Sequence, residues 1–140
     1  MCRWIAYTGE PVFIEQIVTL PDHSLVRQSR DTKMNFDTDG TLLNINGDGF
    51  GFGWYGRREE PGLYRDERPA WSSRNLRNLC AQIEAHLFFA HVRASTTGGV
   101  QQTNCHPFKY KNWLFQHNGY VSHFEKLRQE LQAEIAPELF

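Results

Sequence analysis

The segment Phe50-Gly51-Phe52-Gly53-Trp54-Tyr55 constrains what this chain can fold into more than any other. Large aromatics alternate with glycine at a period of two, which is the period of a β-strand. Such a strand has one aromatic face and one bare face, and the bare face lets another backbone or a ligand come close. Pro61-Gly62 then marks a turn, and residues 63–71 are expected to close a hairpin. Residues 87–92 form a continuous apolar run and predict a buried strand. Residues 3–7 predict a first strand ended by Gly9-Glu10-Pro11. Residues 113–115 predict a second buried strand, entered from a loop over 104–112.

Helical spacing appears in two places. Ser72-Ser73 offers an N-cap to a helix whose apolar face is Leu76, Leu79, Cys80 and Ile83. Ser122 with Glu125 fits a capping box. It opens a helix that turns Phe124, Leu127, Leu131 and Ile135 inward and Glu125, Lys126, Arg128 and Glu130 outward, ending at Pro137. A helical turn is expected over residues 12–20. Residues 20–46, rich in Asp, Ser, Thr, Asn and Gly, are expected to be mostly loop. Strands and helices in alternating blocks with hairpin signals predict an α+β fold with antiparallel sheets.

The 140 residues suit one domain, and 40% hydrophobic with 22% charged residues is a globular composition. A formal net charge of −1 offers no basic surplus for nucleic acid. No apolar run approaches the roughly 20 residues of a membrane helix, and the N-terminus lacks a signal-peptide stretch, so the expected location is the cytoplasm. Three cysteines make no disulfide framework and are expected as free thiols. No C-x-x-C or H-x-x-x-H spacing points to zinc. Asn46-Gly47-Asp48-Gly49 lacks the acidic ligands of a calcium loop. The glycines around Phe50 lack the context of a nucleotide site. No metal and no cofactor is expected.

Three features carry chemistry. If Met1 is removed, Cys2 bears a thiol and a free α-amine together. An α-amine titrates near pH 8 and serves as a general base, and the thiol beside it as a nucleophile; a second-position cysteine also arises by chance. Arg93 follows a buried strand and precedes Ala94-Ser95-Thr96. Its planar fork suits a carboxylate, although a strand-end salt bridge explains it equally well. Asn118 and Gly119 follow another strand. They supply a side-chain and a backbone N–H for an oxyanion, or else a hairpin turn. Cys105-His106, before Pro107, is read as structural, with a Cys–His pair as the minor alternative.

Taken in order, these motifs make the chain resemble the class II glutamine amidotransferases of the N-terminal-nucleophile (Ntn) hydrolase superfamily, in the branch of small stand-alone amidotransferases. The resemblance rests on Met1-Cys2-Arg3, Gly47-Asp48-Gly49-Phe50-Gly51, His91-Val92-Arg93-Ala94-Ser95-Thr96, Asn104-Cys105-His106-Pro107-Phe108 and His117-Asn118-Gly119. It implies an αββα sandwich of antiparallel sheets covered by helices. It also implies Cys2 as nucleophile with its own amine as base, Arg93 and Thr96 at the substrate α-carboxylate, and Asn118 with Gly119 as the oxyanion hole. The implied reaction runs through a γ-glutamyl thioester to ammonia and glutamate.

Members of the family continue with an Asp-Ser/Thr-Glu segment that holds the substrate's α-ammonium, together with further strands and helices. Residues 1–140 therefore read as an amidotransferase type-2 domain incomplete at its C-terminus. The expected partner is a small molecule, glutamine or another γ-glutamyl compound, with no nucleic acid and no membrane. Association with further copies of the chain or with a C-terminal portion stays open. The competing class is a catalytically silent fragment or regulatory partner that keeps the fold.

Overall fold

The computed structural model describes residues 2–33, 36, 39–42, 44–95, 99–119 and 121–139. A four-stranded antiparallel sheet in the order β1-β4-β2-β3 is built from β1 (Arg3–Phe13), β2 (Phe50–Tyr55), β3 (Gly62–Asp66) and β4 (Glu84–Val92). A second sheet pairs β5 (Phe108–Tyr110) with β6 (Trp113–Phe115). The helices are α1 (Glu15–Val18), α2 (Leu25–Arg30), α3 (Arg74–Cys80) and α4 (Phe124–Ala133). This is the expected α+β fold with antiparallel sheets.

Register turns the glycine–aromatic alternation into two different sheet faces. Phe50 lies opposite Val92, Phe52 opposite Ala90 and Trp54 opposite Phe88. These side chains meet Ile14, Val18, Leu25, Val26, Leu76 and Cys80 from the helical side, forming the core. Phe50, Phe52 and Phe88 are fully buried, and each contributes on the order of 1.5–3 kcal/mol through lost apolar surface. Serine caps start the covering helices. Ser24 Oγ accepts from Arg27 N–H at 3.3 Å, and Ser73 Oγ accepts from Leu76 N–H at 3.1 Å.

The opposite face carries Gly51 and Gly53, set beside His91 and Phe89 of β4. A Cβ on Gly51 would run into the His106 carbonyl, and one on Gly53 would lie 2.8 Å from Leu114 and 3.1 Å from Pro107. The close backbone approach expected of the bare face is therefore made by the segment leading into β5. Tyr55 secures it by accepting from Leu114 N–H at 3.0 Å, and Arg65 Nη1 donates to the Cys105 carbonyl at 3.2 Å.

Several expectations are corrected. The first strand does not stop at Gly9 but continues to Phe13 through a register shift between Thr8 and Val12. β1 is an edge strand, where a proline and a bulge are tolerated. The helical turn over 12–20 shrinks to α1, and α2 lies within the supposed loop, too short to show periodicity. The hairpin partner ends at Asp66, whose carboxylate accepts from Arg68 N–H at 3.0 Å and turns the chain into a 3-10 turn, Ala70–Ser72. Ile83 falls beyond the end of α3. The loop over 104–112 contains β5.

Residues 113–115 are not a buried strand. Leu114 alone is buried, while Trp113 is 70% and Phe115 61% exposed, because a two-stranded ribbon hides only the side facing the glycines. The Ser122 capping box is not formed. α4 starts after His123, which has φ 55° and makes no side-chain cap. Its apolar stripe does not face inward either. Phe124, Leu127, Leu131 and Ile135 are exposed, and no described residue of the helix is buried.

Candidate active site

The antiparallel register of β1 and β4 sets Arg3 opposite Val92, so Cys2 comes to lie beside the chain leaving β4. The half-buried Cys2 Sγ donates to the Ala94 carbonyl and accepts from Ala94 N–H, each at 3.4 Å. These sulfur bonds are individually weak, but as a pair they hold the thiol to the backbone of one residue, Ala94. Met1 and Thr96 lie outside the described residues.

Arg93 is 7% exposed. Its guanidinium donates to Ser95 Oγ at 3.0 Å and to the Asp48 and Gly99 carbonyls at 3.4 Å. Among the described residues no carboxylate pairs with it, so the salt-bridge alternative is not realised there. A buried guanidinium surrounded by neutral oxygens favours an incoming carboxylate, which it can grip bidentately.

Asp48, which the spacing of its neighbours marked only as a poor calcium loop, ties these groups together. Its Oδ2 accepts from Ser95 N–H at 2.7 Å, and its N–H donates to the Arg93 carbonyl at 3.1 Å. The Arg93 N–H donates in turn to Gly49 at 2.8 Å. Gly49 has φ 113°, a conformation that disfavours any side chain, and a Cβ there would also meet Cys105 Sγ.

Residues 116–119 run along the outer edge of β1. Gln116 Nε2 donates to the Ile5 carbonyl at 2.9 Å and Asn118 Nδ2 to the Cys2 carbonyl at 3.0 Å. Asn118-Gly119 joins β6 to α4 and does not connect paired strands, so the hairpin-turn alternative fails. Gly119 has φ 154°, which suits glycine. Cys2, Arg93 and Asn118 are thus drawn together, with Gly119 adjoining.

The other thiols are poor nucleophiles. Burial pushes Cys80 up to about 12, with Glu15 adding to the effect. Burial also raises Cys105, whose Sγ donates to the Asp66 carbonyl at 3.4 Å. His106 turns away from Cys105 toward His91 and His117, with ring centroids 4.4 and 4.8 Å distant. Among the described residues no group of three or more His, Cys, Asp or Glu is arranged to hold a metal ion. No helix among them is long and apolar enough to cross a membrane.

The antiparallel α+β architecture is consistent with an Ntn-type fold. The chain belongs to the class II glutamine amidotransferases: the pattern of that family matches residues 32–137. It is 38% identical over 144 residues to a probable glutamine amidotransferase, DUG3, of Saccharomyces cerevisiae, covering 99% of this chain and 40% of that protein. It is 27% identical over 122 residues to a gamma-glutamyl-hercynylcysteine sulfoxide hydrolase of Mycolicibacterium smegmatis, covering 86% of this chain and 52% of that one. A solved glutamine aminotransferase class-II domain protein from Silicibacter pomeroyi superposes with a TM-score of 0.62 at 36% identity, over 96% of this chain and 44% of that chain. The chain spans about half the length of these relatives or less.

Proposed function

We propose that the protein is a glutamine amidotransferase of glutaminase type with Cys2 as its N-terminal nucleophile. The observation that carries this reading is the meeting of Cys2, Arg93 and Asn118 at one end of β1 and β4. Removal of Met1 frees the Cys2 amine. Arg93, with Thr96, receives the α-carboxylate of glutamine, and Cys2 Sγ attacks the side-chain amide carbon. A carbon–sulfur bond forms while the oxyanion takes hydrogen bonds from Asn118 Nδ2 and Gly119 N–H. The thiol proton passes through the α-amine to the departing nitrogen. The carbon–nitrogen bond then breaks, releasing ammonia and leaving a γ-glutamyl thioester. Water cleaves the thioester to glutamate and restores the thiol.

Family membership and the Ala94 contacts of Cys2 support the assignment. The same reading takes residues 1–140 as part of a type-2 amidotransferase domain. The hydrolase among the relatives favours testing other γ-glutamyl compounds beside glutamine. Ammonia release should fall at least about 1,000-fold in Cys2→Ala at unchanged thermal stability, the scale of losing a catalytic nucleophile. Turnover at the wild-type rate in Cys2→Ala overturns the reading. Faster release from a γ-glutamyl amide than from glutamine moves the substrate but keeps the chemistry.

A further inference from the structure

His91, His106 and His117 take no part in the chemistry proposed for Cys2, yet they lie against one another in a row. His91 projects from the glycine-bearing face of the sheet and is fully buried. His106 is 8% exposed. Among the described residues the His106 ring nitrogens have no hydrogen-bond partner, whereas the His91 ring faces the His117 backbone. Buried polar groups ordinarily find partners, so the His106 imidazole stands out among the described residues. The His106 ring is enclosed by three rings: His91 at 4.4 Å, Phe108 at 4.4 Å and, edge-on at 81°, the exposed His117 at 4.8 Å.

His117 directly precedes Asn118. The Gln116 and Asn118 amides tie this segment to β1, and the His117 ring is its one side chain turned onto the His106 stack. The same ring stacks on Phe115 at 5.9 Å, and the His117 backbone faces the buried His91 ring, so the His106 contact is the one that joins the segment to the buried His106–Phe108 stack. We propose that His106 is a positioning residue, whose buried ring seats His117 and thereby fixes Asn118 and Gly119 beside Cys2. The ring acts in its neutral form. Burial, followed by the charges of His117, Arg93 and Arg65, holds His106 at about 4. The catalytic consequence rests on the function proposed above; the positioning itself does not.

The test uses the full chain and four proteins: wild type, His106→Ala, His117→Ala and His106→Phe. His117→Ala removes the same contact from the exposed side, which leaves the core intact even if His106→Ala fails to fold. His106→Phe restores a ring that packs but cannot ionise. Backbone and side-chain 15N relaxation should show Gly119 N–H and Asn118 Nδ2 near an order parameter of about 0.85 in wild type and in His106→Phe. In the folded alanine variants it should fall below about 0.6. The kcat for ammonia release should drop roughly 10- to 100-fold in the alanine variants, with KM for glutamine changed less than about threefold, and His106→Phe should recover it. Unchanged order parameters in a folded alanine variant overturn the proposal. So does a His106→Phe protein as mobile at Asn118 as His117→Ala. If wild type releases no ammonia, the function fails separately, and the relaxation data alone decide the positioning.

Discussion

Asp48 holds the backbone that receives the thiol. Its carboxylate fixes Ser95 N–H, and the preceding residue, Ala94, brackets Cys2 Sγ. Asp48→Ala removes the carboxylate that accepts from the Ser95 N–H and costs about 1–3 kcal/mol. Asp48→Asn keeps an acceptor oxygen and should lose less than half as much. Thermal denaturation of both variants checks the energies, and the alkylation rate of Cys2 checks whether the thiol has lost its seat. Equal stability of Asp48→Ala and wild type contradicts this role. Cys2, Arg93 and Asn118-Gly119 can be singled out in the sequence because each carries reactive or donor groups in a local pattern. Asp48 is not, since its partner lies 47 residues away and only the β2–β4 register unites them.

Among the elements, β2 is the most legible, because glycine–aromatic alternation fits few backbones other than a strand approached closely on one side. Gly51→Ala forces a Cβ against the His106 carbonyl, a backbone atom that cannot swing away. It should destabilise the protein by about 1–3 kcal/mol, the range of overpacking. Gly56→Ala, whose nearest neighbours lie at 3.9 Å, should stay within about 0.5 kcal/mol of wild type. Urea titration of both variants tests the contrast, and equal midpoints contradict the packing described. Short elements were hidden for a physical reason. α2 and β5 span six and three residues, too few for any periodicity to declare itself. α4 shows the converse limit. The stripe from Phe124 to Ile135 is evident in the spacing, but spacing does not tell which surface receives it, and among the described elements none covers it.

At the scale of the whole molecule, two buried imidazoles link stability to pH. An unfolded histidine titrates near 6.5, whereas burial, followed by the charge of its neighbours, lowers His91 to about 3 and His106 to about 4. With the folded values depressed, the unfolded chain binds protons that the native state refuses. Stability is therefore intact above pH 6.5 and declines as pH falls toward 4. The loss is on the order of 1 kcal/mol per pH unit for each histidine. Urea midpoints measured from pH 7.5 to 4.5 should fall steadily below 6.5 in wild type and more gently in His106→Phe. A wild-type midpoint constant across that range contradicts the neutral, buried state of both rings.

The chemistry proposed for this chain requires Cys2 to be an N-terminal nucleophile in a formed glutamine pocket. Treating the full chain with one equivalent of a glutamine-analogue electrophile and locating the adduct by mass spectrometry tests it most directly. The expected result is a peptide that begins at Cys2 without Met1, stoichiometric modification at that sulfur, and protection by excess glutamine. Retention of Met1, or labelling at Cys80 or Cys105 while Cys2 stays unmodified, would contradict it.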